Sequence, residues 1–474
     1  MLLSLSPIIL LVVLLFSAVQ LFGADASYGP NQVALLIASA AAGLVGMYRG
    51  LTWAEVQDSM VAGIRVGLGP ILILLAVGGL IGSWMVAGTV PAMIYYGVSI
   101  LNPSIFFAAA AIICALASIS IGSSWTVAGT LGIGLIGIAD SYGLSPAMAA
   151  GAIISGAYFG DKLSPLSDTT NLAAACTNVD LFAHIRHMLW TTVPAFCLAL
   201  IFFFMIDSGA ATAPEQIAEL RSAISAEFNV GVGVLIPLVV MLGLIWWRVP
   251  AYPAIMLATL AGVLTAVTLQ TAVVEKFALN ANPDATVPLI EGLWRTLFAG
   301  FEGTTSNEEL NRLISKGGIA SMLNTVWLIL SALAFGGVLE RTGILKQILD
   351  AVLKAVKSTG DLVLATVTGG FVTNILAADQ FLAIALPGRL FSSTYDDFRL
   401  SRENLSRTLE DSATMTSALI PWNTCGAYMA ATLGVATFEY APYAIFNIAC
   451  PLIAIAFGYL MFQQKPAEAA TSSV

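Results

Sequence analysis

Leu75-Ala76-Val77-Gly78-Gly79-Leu80 returns as Leu333-Ala334-Phe335-Gly336-Gly337-Val338, and that return decides the architecture. Downstream, Gly160-Asp161-Lys162-Leu163-Ser164-Pro165-Leu166-Ser167-Asp168-Thr169 aligns loosely with Thr416-Ser417-Ala418-Leu419-Ile420-Pro421-Trp422-Asn423-Thr424. Both matches need nearly the same offset, about 256–258 residues. An apolar chain made of two such halves has the pattern of a secondary transporter, whose cargo sits where paired helices are broken. Each half here breaks a helix at a proline flanked by polar residues.

The composition agrees. Of 474 residues, 58% are apolar and only 10% charged; a soluble domain carries about 25% charged residues. The chain therefore reads as an all-α polytopic membrane protein, with the bilayer as its solvent. Its five cysteines, Cys114, Cys176, Cys197, Cys425 and Cys450, are odd in number and lack CxxC spacing. That argues against a disulfide framework or a zinc site. Two histidines and few clustered acids leave little for metal catalysis, so neither an enzyme nor a resident cofactor is expected. A net charge of −9 gives no nucleic-acid footprint. The first 22 residues lack the basic start of a cleaved signal and read as a retained first span.

Apolar windows place candidate spans at 3–22, 31–48, 65–87, 104–119, 124–139, 146–175, 188–206, 230–247, 251–271, 321–340, 361–377, 381–395, 408–436 and 440–462. The segments 104–139 and 361–395 are each two short helices around a polar break, and read either as re-entrant hairpins or as full spans. With both termini in the cytoplasm, the inner ends and loops hold twelve Lys and Arg, among them Arg341, Lys346, Lys354 and Lys357. The outer loops hold five, four of them in the long 272–320 segment. This bias fixes the orientation, in what would be a cell inner membrane. Span 65–87 then runs outward and its partner 321–340 inward, so the repeats are inverted. The expected organisation is a first repeat at 1–206, a polar link at 207–229, a second repeat at 230–462, and a structureless tail at 463–474. Segment 346–357 reads as a short amphipathic helix at the inner surface.

A charge at mid-bilayer is costly and usually lines a cavity or pathway. Three places stand out. In Gly160 to Asn171, Pro165 removes a backbone donor and frees a carbonyl. Asp161, Ser164, Ser167, Asp168 and Thr169 add hard oxygen ligands that suit Na⁺. A bridge from Lys162 to Asp161 or Asp168 would explain the same residues, and Lys162 would balance the charge of the empty site. In the second half Glu410-Asp411-Ser412 precedes Pro421-Trp422-Asn423-Thr424, with Asn423 and Thr424 in the places of Ser167 and Asp168. Asp411, Asn423 and Thr424 are candidates there, against the plainer reading of Glu410 and Asp411 as helix-start acids. The third place is the paired break at Ser123-Ser124 and at Asp379, the only acid between Leu376 and Phe381. His184 and His187, beside Arg186, read mainly as interfacial polar groups. Arg389 either faces an anion, snorkels to the inner surface or pairs with an acid.

These motifs resemble the NhaC family of Na⁺/H⁺ antiporters, within the broader ion-transporter superfamily. The likeness rests on Gly122 to Thr130, on Ser155 to Ala173, and on Glu410-Asp411-Ser412 with Pro421-Trp422-Asn423-Thr424-Cys425-Gly426, and it spans essentially the whole chain. It implies exchange of Na⁺ against H⁺. Some relatives exchange organic acids instead, coupling malate uptake to lactate and cation exit.

The leading expectation is a Na⁺/H⁺ exchanger working by alternating access. Na⁺ would be held by Asp161, Asp168, Ser123, Ser124, Thr169 and Asp379, with protons competing for the same carboxylates. The alternative adds a small organic anion or amino acid, paired with Lys162 or Arg389. A second copy of the chain is a further candidate partner. An intramembrane aspartyl protease is the reading from another class, but no Tyr-Asp partner motif appears and the repeat would go unexplained. A channel fits the paired broken helices less well.

Overall fold

A computed structural model describes residues 2–206, 214–461, 464 and 466. It is nearly all helical, and no β-strand occurs among the described residues. The first half contains α1 Leu2–Phe22, α2 Pro30–Tyr48, α3 Trp53–Val66, α4 Leu68–Val86, α5 Thr89–Ile100, α6 Phe106–Ile121, α7 Ser124–Val127, α8 Ile133–Ser141, α9 Pro146–Leu163, α10 Asp168–Thr177 and α11 Leu181–Met205. A π turn, Ala128–Gly132, joins α7 to α8. Next come α12 Pro214–Glu227, α13 Ile236–Trp246, α14 Ala251–Leu269, α15 Thr271–Ala281, α16 Pro288–Phe298 and α17 Glu308–Ile314. The rest contains α18 Leu323–Arg341, α19 Ile344–Leu353, α20 Thr359–Ala377, α21 Gln380–Asp397, α22 Arg402–Leu409, α23 Met415–Ser417, α24 Thr424–Leu433, α25 Thr437–Tyr440 and α26 Ile445–Tyr459.

The order of breaks recurs. Helices α6 and α20 end at 121 and 377, α7 and α21 start at 124 and 380, α9 and α22 at 146 and 402, and α10 and α24 at 168 and 424, each pair 256 apart. Eight helices among the described residues are long and apolar enough to cross a membrane by themselves. The remaining candidate spans are shorter pieces joined at breaks.

Glycine sets how closely the helices approach. A Cβ on Gly156 or Gly160 of α9 would collide with the backbone of Ala111 or of Ala115 and Ile119 in α6. The repeated glycine pair has the same use. Gly78 of α4 meets the Gly318 carbonyl, and Gly337 of α18 meets the Ser59 carbonyl and Gly63 of α3. Packing is also exchanged between the halves: α18 lies against α2 and α3, and α4 lies against α14 and α16. Arg341 at the end of α18 pairs with Glu55 of α3 at 3.0 Å.

Several expectations are corrected. The link 207–229 holds the helix α12, whose Leu220 and Ile224 are buried, as is Phe228 just beyond it. It packs against α5 and α17, and Arg221 lies 4.4 Å above the Tyr95 ring. The connections 88–103 and 341–360 contain α5 and α19, and the amphipathic helix starts at Ile344 rather than Lys346. The segment 272–320 folds into α15, α16 and α17. Helix α11 begins at Leu181, seven residues before the expected span, because Asp180 caps it by accepting from Ala183 N at 2.9 Å. His184 therefore falls inside the helix, fully buried, with Nδ1 2.9 Å from Ser406 Oγ. His187 Nε2 lies 3.1 Å from Asn404 Oδ1. Apart from 464 and 466, the tail 463–474 lies outside the described residues.

Candidate functional site

The breaks build the site. Helix α6 stops where Gly122 turns into the left-handed region at φ 72°, and Ser123 restarts the chain by accepting from Thr126 N at 3.2 Å. Helix α9 stops at Ser164, and Ser167 caps α10 by accepting from Thr170 N at 3.4 Å. The two breaks touch: a Cβ on Gly122 would stand 2.7 Å from Leu166 Cβ and 3.0 Å from Ser164 Oγ. In the second half Ala378 takes the left-handed seat at φ 57°, and Asp379 caps α21 by accepting from Leu382 N at 2.8 Å. The partner break meets it through Thr424 N, which donates to the Ala378 carbonyl at 3.0 Å.

The first pair of breaks encloses a cavity of about 210 Å³. Ser123, Ser124, Asp161, Ser167, Asp168 and Thr169 line it, with Trp125, Gln380 and Phe381. Its charged lining is two acids and no base. Asp161 is 7% exposed and Asp168 stands open at the mouth. Ser124 donates to Asp161 Oδ2 twice, from N at 3.1 Å and from Oγ at 2.7 Å. That fixes Oδ2 of the carboxylate, which Ser167 also approaches, and the group faces the cavity. Ser167 Oγ lies 3.1 Å from Thr169 Oγ1. Among the described residues no group of three or more His, Cys, Asp and Glu could hold a metal ion. A cation here would be met by one or two carboxylates supplemented by hydroxyl and carbonyl oxygens, a set suited to a hard ion.

The other predicted residues fall elsewhere. Ser164 is buried within its break, with Oγ accepting from Leu166 N at 3.3 Å. Lys162 pairs with Asp411, not with Asp161 or Asp168. Both members of that pair are fully buried. Thr191 Oγ1 and Cys450 Sγ donate to the same Asp411 oxygen at 2.9 and 3.1 Å. Lys162 therefore balances a charge in the opposite half and is not offered to the cavity. Asn423 caps α24 and donates to Asn374 Oδ1 at 3.0 Å. Thr424 is buried at the foot of that helix. Asp379 lines a second, larger cavity of about 710 Å³, with Gly336, Glu340 and Arg341. Its Oδ2 is buried without a hydrogen bond. Phe381 borders both cavities. Arg389 is exposed and donates to the Ala385 carbonyl at 3.2 Å.

Trp125 was passed over in the sequence. It stacks on Tyr428 at 4.0 Å and 13°, and Tyr428 Oη donates to the Trp125 carbonyl at 2.9 Å. The only early signal was an aromatic residue immediately after a polar break.

The model of the family described as "Na+/H+ antiporter family" matches residues 156–462. The chain belongs to the Na⁺/H⁺ antiporter family. It is 39% identical over 433 residues to the Na⁺/H⁺ antiporter NhaC of Alkalihalophilus pseudofirmus, covering 91% of this chain and 89% of that protein. It is 37% identical to the malate-2H⁺/Na⁺-lactate antiporter of Bacillus subtilis, with the same coverage. It is 35% identical over 479 residues to the arginine/ornithine antiporter ArcD of Halobacterium salinarum, covering 99% and 94% of the two chains. Antiport is common to these names, and the cargo differs among them.

Proposed function

We propose that this antiporter family member exchanges Na⁺ for H⁺ by alternating access, with Na⁺ held between the breaks by Asp161 and Asp168. The observation that carries this reading is the acid-only lining of the cavity at Ser123–Ser124 and Ser167–Thr169. A carboxylate in a poorly solvated cleft takes either a proton or a metal cation, and each opposes the other. One site occupied in turn by the two ions yields exchange without separate pathways. Ser124 positions Asp161 for both. Alternation would proceed by movement of one broken-helix unit against the other, with the halves inverted and both termini in the cytoplasm of a cell membrane.

A second reading has one observation in its favour. The cavity is larger than a bare cation needs, and the indole N–H of Trp125, one of its walls, is buried without a partner. A small organic solute fits beside the ion. The two acids, and the commitment of Lys162 to Asp411, favour a cationic or zwitterionic solute such as an amino acid over a dicarboxylate.

The test is reconstitution in liposomes loaded with a pH dye under an imposed Na⁺ gradient, repeated with Asp161→Asn and Asp168→Asn. Proton movement driven by Na⁺ alone, and lost in either variant, supports the exchanger. Proton movement that begins only when an amino acid or organic acid is added overturns simple exchange and makes that solute the cargo.

A further inference from the structure

Lys162 and Arg407 are the buried Lys and Arg side chains of the described residues. Both turn to Asp411: Lys162 Nζ bonds Oδ1, and Arg407 Nε stands 3.9 Å from Oδ2. Glu410, the residue before, is fully buried, and neither of its carboxylate oxygens makes a hydrogen bond. Lys162 is near enough to act on Glu410 but spends its ion pair on Asp411. A buried carboxylate without an ion pair of its own costs several kcal/mol, so its retention points to a ligand that sits on it. The hydroxyl of Thr414 stands beside Glu410, as does that of Thr169, which also lines the Asp161 cavity. Thr414 Oγ1 is likewise buried without a partner. The helix widens to a π turn over Glu410–Thr414, a distortion found frequently at functional sites.

We propose that Glu410, Thr414 and Thr169 hold a second monovalent cation, Na⁺, behind the Asp161 cavity. The donors are all oxygen, the set a hard cation prefers. The site deepens the exchange reading and rests on it for the identity of the ion. Charge balance points the same way. Four buried acids, Asp161, Asp379, Glu410 and Asp411, stand against two buried bases, Lys162 and Arg407, an excess of negative charge that bound cations would offset. The outer ion belongs to Asp161, the inner to Glu410, and Thr169 stands in the wall between them.

Equilibrium binding of radiolabelled Na⁺ to the purified full-length protein tests this. The wild type binds two Na⁺ per chain, and Glu410→Gln binds one. A Glu410→Gln protein that binds as many ions as the wild type, at the same affinity, overturns the inner site. Should that variant not fold, Thr414→Val keeps the carboxylate and is expected to weaken the second binding phase at least tenfold; an unchanged isotherm overturns the proposal. Asp161→Asn is the separate control. It should remove the outer ion, and full Na⁺ binding in that variant would sink the exchange reading rather than the inner site.

Discussion

Asp161 is gripped on Oδ2 by Ser124 and faces the cavity. Removing the Ser124 hydroxyl, which donates to Oδ2 at 2.7 Å, loses a bond to a charged group worth about 1.5–3 kcal/mol. Ser124→Ala is therefore expected to weaken the apparent Na⁺ affinity in liposome exchange about tenfold, while Ser123→Ala, whose hydroxyl caps α7, mainly lowers stability. Lys162 makes the opposite case. Lys162→Met strands the buried Asp411 and should cost about 3–5 kcal/mol. Lys162→Met combined with Asp411→Leu should recover most of that loss in thermal unfolding in detergent. Equal damage in single and double variants would mean that the pair is not what the fold depends on. Polar residues in an apolar chain advertise themselves, so Asp161, Asp168 and their hydroxyl neighbours were legible in the sequence. The isolation of Glu410 was not. It depends on Arg407 and Lys162 both turning to the adjacent Asp411, which only packing reveals. His184 is buried for a related reason: the cap at Asp180 starts the helix two turns ahead of the apolar run.

At the level of elements, the two left-handed turns offer a matched comparison. Gly122 and Ala378 occupy equivalent seats at φ 72° and 57°. An L-residue in that region costs roughly 1–2 kcal/mol. Gly122→Ala should lower the thermal midpoint, because its Cβ also meets Leu166 and Ser164. Ala378→Gly should leave it unchanged or raise it slightly, since relief of strain offsets the freedom glycine gains when unfolded. A loss at both positions would deny the strain at Ala378. The broken helices themselves were readable, since proline and serine clusters inside apolar runs are strong punctuation. Helices α3, α5 and α12 were not. They are short or carry charge, and are held by packing against α18, α8 and α17, so hydropathy alone passes over them.

For the whole molecule, the exchanged packing has a testable result. Because α18 lies against α2 and α3 while α4 lies against α14 and α16, neither half can bury its glycine-lined helix alone. Residues 1–206 and 214–474 expressed separately should each fail to yield monodisperse protein. Co-expressed, they should assemble and recover Na⁺-driven proton movement. Folding of either half alone would contradict this dependence. The offset near 256 was visible in the sequence, but the exchange was not, because a repeat says which segments are alike and not which ones touch. Phe381 is the residue shared by the acidic cavity and the larger one beside Glu340 and Arg341. A single aromatic ring thus forms the partition between two chambers that lie side by side. Phe381→Ala should merge them into one roomier vestibule, so that the ion's seat loses a wall and its grip on the cargo slackens.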